Sequence, residues 1–199
     1  MKKIIAIVIF CSMLGVTHLF GQQGVGQLAF NYDMSFGTGN LGEYISAGSF
    51  RGMSVQYRYS ATDNLLVGFD LGWNVFYEKK EYDTYTVGTQ SLSGVQYRYQ
   101  NQVPLLFTVD YMFMADSDFR PYIGLGIGTM YSERSTQMGI WTLEEDPWQF
   151  ALKPEFGMLY AVTPGTGLKL GFKYYTGMGG ELDTQGYFTI SVGMAFIIN

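Results

Sequence analysis

Two-residue alternation of side-chain character is the feature of this sequence that most constrains its fold. From Leu65 to Glu78 the odd positions are apolar or aromatic, whereas the even positions include glycine, Asp70 and Asn74. Because successive side chains of a β-strand point to opposite faces, such a segment has one apolar and one polar face. The pattern recurs in eight segments, at residues 27–37, 50–60, 65–78, 95–113, 121–131, 148–161, 168–174 and 187–198. The sequence therefore predicts an all-β protein.

Ten charged residues of these segments lie on the polar side of the alternation. They are five acids and five bases, namely Asp33, Arg58, Asp70, Glu78, Arg98, Asp110, Lys153, Glu155, Lys169 and Lys173. A charge that faces lipid costs about 2–4 kcal/mol near the bilayer midplane, which explains such segregation in a membrane β-barrel. Equal numbers of opposite charges also suit a narrow interior, where paired ions are tolerated. We therefore predict a lumenal ion-pair network made of these ten residues.

Aromatic side chains cluster toward the ends of the predicted strands, as in the aromatic girdles of membrane barrels. The predicted girdle comprises Tyr57, Tyr59, Trp73, Tyr97, Tyr99, Tyr111, Phe113, Tyr131 and Trp148. The connections alternate in length, being short after the second, fourth and sixth strands and long after the others. Short periplasmic turns and long outside loops are typical of outer-membrane barrels. The predicted fold is an eight-stranded antiparallel up-and-down transmembrane β-barrel that spans residues 22–199.

A soluble, lipocalin-like ligand-binding barrel is the alternative fold. Its strands alternate in the same way, but the apolar face is turned inward. Periodicity alone does not decide which face is inside. The aromatic clusters, the loop lengths and the C-terminal segment Gly193–Ile198 favour the membrane barrel.

The N-terminal segment has the features of a secretory signal peptide. Two lysines precede the apolar run Ile4–Val16, and a polar exit follows, which predicts a signal peptide at residues 1–21 with cleavage after Gly21. The run is shorter than the roughly 20 residues that a transmembrane helix needs, which disfavours an anchor. Lipidation at Cys11 is disfavoured because Phe10 lies where a small residue is expected.

Signal cleavage would remove the only cysteine, Cys11, and the only histidine, His18. A mature chain without either residue lacks disulfides, thiol nucleophiles, histidine-ligated metal sites and serine–histidine pairs. We therefore predict no catalytic residue, no cofactor and no metal site. The full sequence has 12 basic and 17 acidic residues, and loss of Lys2 and Lys3 would leave 10 basic residues and a net charge of about −7. Nucleic acid is therefore not an expected partner.

Several segments resemble one known family, the eight-stranded outer-membrane β-barrel domain common in Bacteroidota, often labelled porin-like, and more distantly the OmpA/OmpX-type barrel. The resemblance covers the whole mature chain. It rests on Leu19–Gln22, Val103–Phe107, Pro121–Gly128 and the final strand. It implies export to the Gram-negative outer membrane and insertion by the barrel assembly machinery. Enzymes built on small barrels of this kind rely on a histidine, which the mature chain lacks.

Two non-catalytic functions remain open at the level of sequence. The first is a structural, adhesive or surface-interaction role through the long loops, whose charged residues are Glu43, Glu78, Lys79, Lys80, Glu81, Asp83, Glu133, Arg134, Glu144, Glu145, Asp146, Glu181 and Asp183. The second is a narrow porin-like channel for small solutes, although eight strands enclose a space just wide enough for side chains. We expect a monomer that contacts outer-membrane lipids and lipopolysaccharide.

Three local motifs have simpler structural explanations. The alternating glycines of Gly124–Gly128 precede no helix, so they make room inside a barrel rather than bind phosphate. The acidic run Glu144–Asp146 lacks the spacing of a dedicated Ca²⁺ loop. Pro104 and Pro154 fall inside strands, where we expect local bulges to accommodate the missing backbone donor.

Overall fold

The computed structural model describes residues 24–87, 90–180 and 182–198; the predicted signal peptide lies outside these ranges. These ranges contain nine strands and one short helix, with bounds β1 (Gly26–Thr38), α1 (Gly39–Tyr44), β2 (Ser49–Ser60), β3 (Leu65–Val87), β4 (Gln90–Met112), β5 (Phe119–Met138), β6 (Trp141–Glu145), β7 (Trp148–Thr163), β8 (Thr166–Met178) and β9 (Gln185–Ile198).

Eight of these strands close into an antiparallel barrel. Each wall strand pairs with its neighbour in the chain, and β1 pairs with β9 from Gly26↔Ile198 to Thr38↔Gly186. β5 pairs with both β4 and β7, while β6 pairs only with the far end of β5. β6 is therefore an extension above the wall, and the predicted eight-stranded up-and-down barrel is confirmed.

The two ends of the barrel differ. Short turns join β2 to β3, β4 to β5 and β7 to β8 at one end, where β1 begins and β9 ends; we call it the short-turn end. The other connections lie at the opposite, long-loop end. Two of them, predicted as loops at residues 79–94 and 132–147, are instead largely strand. Residues 81–84 and 139–144 are exposed on both faces, so the periodicity that marks a half-buried strand is missing there.

The orientation of the two strand faces excludes a soluble lipocalin-like barrel. Phe69 and Leu71 point outward and are 58% and 50% exposed, whereas Asp70 between them points inward and is 1% exposed. The apolar row therefore forms the outer surface, and the charged row lies inside. Covering a barrel with phenylalanine and leucine is favourable in lipid and unfavourable in water.

The two strand prolines do not produce bulges, so that expectation was wrong. The β3–β4 ladder has the same register before and after Pro104, at Leu71↔Leu105 and Asn74↔Gln102. The β7–β8 ladder likewise keeps its register past Pro154. Each proline still pairs on its other side, with β5, because a missing N–H affects only one of the two ladders.

Within the described ranges, none of the helices has the length and apolar character needed to cross a bilayer.

Candidate functional site

Glu155 of β7 lies at the centre of a charge cluster inside the barrel. Its carboxylate is within 3.9 Å of Arg58 Nη2, 2.5 Å of Lys153 Nζ and 3.5 Å of Lys169 Nζ. The hydroxyl of Tyr122 donates to Oε1 at 2.7 Å. One buried carboxylate therefore faces three cations that come from three different strands.

Further acids balance these cations. Asp110 accepts from Arg58, and Asp70 accepts from Lys153. Lys173 Nζ lies 3.5 Å from Asp33 Oδ1. The cluster holds four acids and four bases, all at most 6% exposed, namely Asp33, Asp70, Asp110, Glu155, Arg58, Lys153, Lys169 and Lys173. Opposite charges at these distances offset the cost of burial, and the contacts tie the strands together across the lumen.

The other two residues of the predicted network, Glu78 and Arg98, do not belong to this cluster. Glu78 pairs with Lys80 at 2.8 Å, and Arg98 donates to the backbone oxygen of Tyr44 at 2.7 Å. Both have the inward parity, but they lie several residues nearer the long-loop end than Asp70 and Asp110. Alternation identifies the face of a strand and not the height along it, so the prediction grouped them wrongly.

Inward-facing glycines make room for the long charged side chains. A Cβ placed on Gly124 would lie 2.0 Å from Asp110 Oδ1, and one on Gly126 would lie 3.2 Å from Lys153 Cε. Gly52 similarly leaves space for Asn74 and Asp33. The glycine run therefore has a packing role in the barrel.

Above the charge cluster, α1 folds into the long-loop end of the lumen. Leu41 and Ile45 are fully buried, and they pack with Phe76, Tyr175 and Tyr187. The rings of Tyr175 and Tyr187 stack at a centroid distance of 4.7 Å. The α1 segment and this aromatic group together occupy the lumen above the charges.

Sequence reasoning missed this apolar layer. Phe76, Tyr175 and Tyr187 break the alternation, since each stands beside an outward aromatic or apolar neighbour. Two adjacent aromatics in a strand must place one ring on each face, and this was the available signal.

Polar contacts hold α1 and the residues after it in place. Glu78 accepts hydrogen bonds from the backbone N–H and the hydroxyl of Ser46, at 2.9 and 2.7 Å. Arg98 and Arg134 lie over the Tyr44 ring, at 5.0 and 4.2 Å from its centroid. Burial raises the pKa of Tyr44, so its hydroxyl stays protonated and can donate to the Ser135 carbonyl oxygen.

At the short-turn end, a second apolar layer lies below the charges. It is formed by Ala29, Leu66, Met112, Tyr122, Leu159 and Ala195. Two cavities of about 330 and 320 Å³ open outside this layer, and both are lined by Gln27, Arg120 and Leu159. The space accessible from this end thus lies beside the layer at the mouth of the barrel.

All nine residues of the predicted girdle lie on outward positions, and they fall into two groups. Tyr57, Tyr59, Tyr111 and Phe113 are near the short-turn end, and Trp73, Tyr97, Tyr99, Tyr131 and Trp148 are in the long-loop half. Neighbouring rings contact each other, as in Tyr111–Phe113 at 5.1 Å and Tyr131–Trp148 at 5.3 Å.

Beyond the long-loop end, four strand segments form what we call the projecting sheet. It consists of residues 79–87 of β3, 90–97 of β4, 133–138 of β5, and β6. It exposes Tyr82, Trp141 and Leu143, and the turn between β5 and β6 exposes Ile140, which is 95% exposed. In the described part of the chain, no group of three or more acidic, histidine or cysteine side chains is placed to hold a metal ion.

No protein-family model and no curated protein matches the chain, but solved structures do. The Ail attachment invasion locus protein of Yersinia pestis, in complex with the heparin analogue sucrose octasulfate, has a TM-score of 0.57 and 14% identity, over 89% of this chain and 100% of that chain. Neisserial surface protein A has a TM-score of 0.52 and 17% identity, over 87% and 96%. The outer membrane protein OprG from Pseudomonas aeruginosa has a TM-score of 0.50 and 13% identity, over 89% and 97%.

The chain has the eight-stranded outer-membrane β-barrel fold. At these identities the likeness shows the fold alone, and the predicted resemblance is confirmed at that level. The Bacteroidota origin stays a prediction.

Proposed function

We propose that this protein is a non-catalytic outer-membrane barrel that acts at the cell surface through its projecting sheet and long loops. In this orientation the long-loop end is extracellular and the short-turn end is periplasmic, as is usual for such barrels. The predicted signal peptide would direct export, and the barrel assembly machinery would insert the protein into the outer membrane. There it would be a monomer surrounded by lipopolysaccharide and lipid.

One observation carries the proposal: the lumen is filled while the extracellular side is extended. The charge cluster, the aromatic layer and α1 occupy successive levels of the interior. The arm of β3 from Lys79 to Val87 extends about 26 Å, at roughly 3.3 Å per residue. Such an arrangement supports contact with partners outside the cell more than the passage of solutes.

Charge limits the kind of partner. The charged loop residues named above comprise ten acids and three bases. Ail was solved with a heparin analogue, which is a polyanion. An acidic surface repels polyanions, so we do not extend that ligand to this chain and favour neutral or cationic partners.

The narrow channel is the second candidate, supported by the mouth cavities at the short-turn end. Planar-bilayer recordings distinguish the two functions. We expect purified protein to give no stable openings, and sizeable stable openings would contradict the surface role.

Shortening the projecting sheet tests the surface role directly. Removal of residues 82–93 together with 137–142 should abolish adhesion of expressing cells to host-cell layers while the barrel remains heat-modifiable on detergent gels. Replacement of the periplasmic turn at residues 115–118 is the matched control. Adhesion that survives loss of the sheet would contradict the proposal.

A further inference from the structure

Two cations break the apolar character of the barrel's outer surface. Arg51 of β2 and Lys79 of β3 have outward parity and are exposed. The other basic residues of the described strands point into the lumen or its mouths; they are Arg58, Lys80, Arg98, Arg120, Arg134, Lys153, Lys169 and Lys173. The two outward cations lie on neighbouring strands and toward the same end.

Strand geometry places this pair at the edge of the lipid band. The outward apolar row of β3 runs from Leu65 to Tyr77, which spans about 40 Å along the strand. A strand tilt near 40° reduces this to about 30 Å along the membrane normal, enough to cover the usual apolar band of about 25 Å. Lys79 is the next outward residue. Arg51 extends the outward row of β2 beyond Met53, and its long side chain can reach the same level.

Aromatic rings surround the two cations. Tyr77 and Tyr99 pair at a centroid distance of 4.8 Å, and Lys79 Nζ lies 5.8 Å from the Tyr97 ring centroid. Arg51 lies on the strand next to that of Tyr77, one position beyond the Gly52↔Asn74 pair. The cluster thus combines two positive charges with phenol groups that can hydrogen-bond to a sugar or phosphate.

Neither cation is neutralised within the described residues. No acidic side chain lies within 4.0 Å of Arg51 or Lys79, whereas Lys80, the next residue, pairs with Glu78 at 2.8 Å. Two acids lie on the same side. Glu81 is exposed two residues beyond Lys79 on β3 and forms no ion pair with it, and Glu133 lies on β5, where it accepts a hydrogen bond from Asn101 at 2.9 Å. The pair is therefore available for an anion at the membrane boundary.

We propose that Arg51 and Lys79, with Tyr77, Tyr97 and Tyr99, bind the phosphorylated sugar headgroup of an outer-leaflet glycolipid. Their backbones are separated by about 13 Å along the strand, which two long side chains can close on one headgroup. The site faces the bilayer, and the outward residues Val75 and Trp73 follow it along β3, so a ligand with acyl chains gains apolar contact that a free phosphate does not. This inference rests on the proposed membrane orientation and names the lipid contact more specifically.

Nanodiscs of phosphatidylcholine that contain the full protein provide the test. Bisphosphorylated lipid A should bind more tightly than its dephosphorylated form. An R51Q/K79Q double variant should lose this preference, with affinity reduced about 30-fold, since each cation near an anionic surface contributes a factor of about five to six. Arg120→Gln, which removes a cation at the opposite end, should bind like the unchanged protein.

The outcomes separate the two proposals. Equal binding of both lipid forms, or unchanged binding by the double variant, would overturn the headgroup site while the barrel remains inserted. Competition by millimolar inorganic phosphate would show that the site takes a free anion instead of a lipid. A protein that fails to enter nanodiscs or to show heat-modifiable migration would overturn the proposed function as well.

Discussion

At the level of single residues, Glu155 has the largest number of charged partners in the lumen. Arg58, Lys153 and Lys169 all lie within 3.9 Å of its carboxylate. Removing one member of a buried ionic group leaves its partners without compensation and costs about 3–5 kcal/mol. Because the side chain is buried, water cannot take its place.

We therefore expect Glu155→Gln to lower the free energy of unfolding by about 3–5 kcal/mol, measured by urea unfolding in lipid vesicles with tryptophan fluorescence. The control is Glu133→Gln, an exposed change that should stay within about 0.5 kcal/mol. Adding Lys169→Met to the first variant should recover part of the loss, since one unpaired cation is then removed. Equal stability of the two single variants would show that the cluster is not a stabilising network.

At the level of elements, α1 depends on tertiary contacts rather than on the helix propensity of its own sequence. One of these contacts is what we call the anchor, the pair of hydrogen bonds that Ser46 donates to Glu78. Two of the six residues of α1 are glycine, which disfavours a helix. It forms because Leu41 is buried and because Glu78 fixes the following residue, Ser46. Glu78 lies beyond Tyr77, where the outward apolar row of β3 ends.

The anchor should respond to acid. Burial alone would raise the pKa of Glu78. Hydrogen bonds from Lys80 and Ser46 have the larger combined effect, so the pKa is lowered from its ordinary value of 4.5. A group with a lowered pKa in the folded state stabilises above its ordinary pKa, and the effect is lost as pH falls through the folded pKa. We expect the Ser46 amide NMR signal to shift with a midpoint below pH 4.5, and this titration to vanish in Glu78→Gln. A midpoint above that value, or a shift that persists in the variant, would exclude the anchor.

The strands were predictable from sequence to the extent that one face meets lipid and the other does not. That contrast produces the period of two in β1, β2 and β9, for example. The same contrast is absent in α1 and in the projecting sheet, where burial follows tertiary contact or both faces meet water. Heights along the strands were not predictable either, so Glu78 and Arg98 were grouped with the central charges that they do not contact.

At the level of the whole molecule, the medium around the barrel decides which exposed positions tolerate charge. Phe69 and Tyr82 are both exposed, at 58% and 73%, and both lie on β3. In water, arginine at either position would be harmless. In a bilayer only Phe69 faces hydrocarbon, whereas Tyr82 belongs to the projecting sheet.

Phe69→Arg should therefore reduce the heat-modifiable, membrane-inserted fraction and lower stability by about 2–4 kcal/mol. Tyr82→Arg, the same kind of change on the same strand, should leave both quantities close to the unchanged protein. The inserted fraction is measured on detergent gels before and after boiling, and the stability by urea unfolding in vesicles of defined thickness. Thinner bilayers should reduce the penalty, because position 69 then lies nearer to an interface. If the two variants behaved alike in every bilayer, the outer surface would not be in contact with lipid, and the membrane assignment of the entire barrel would be wrong.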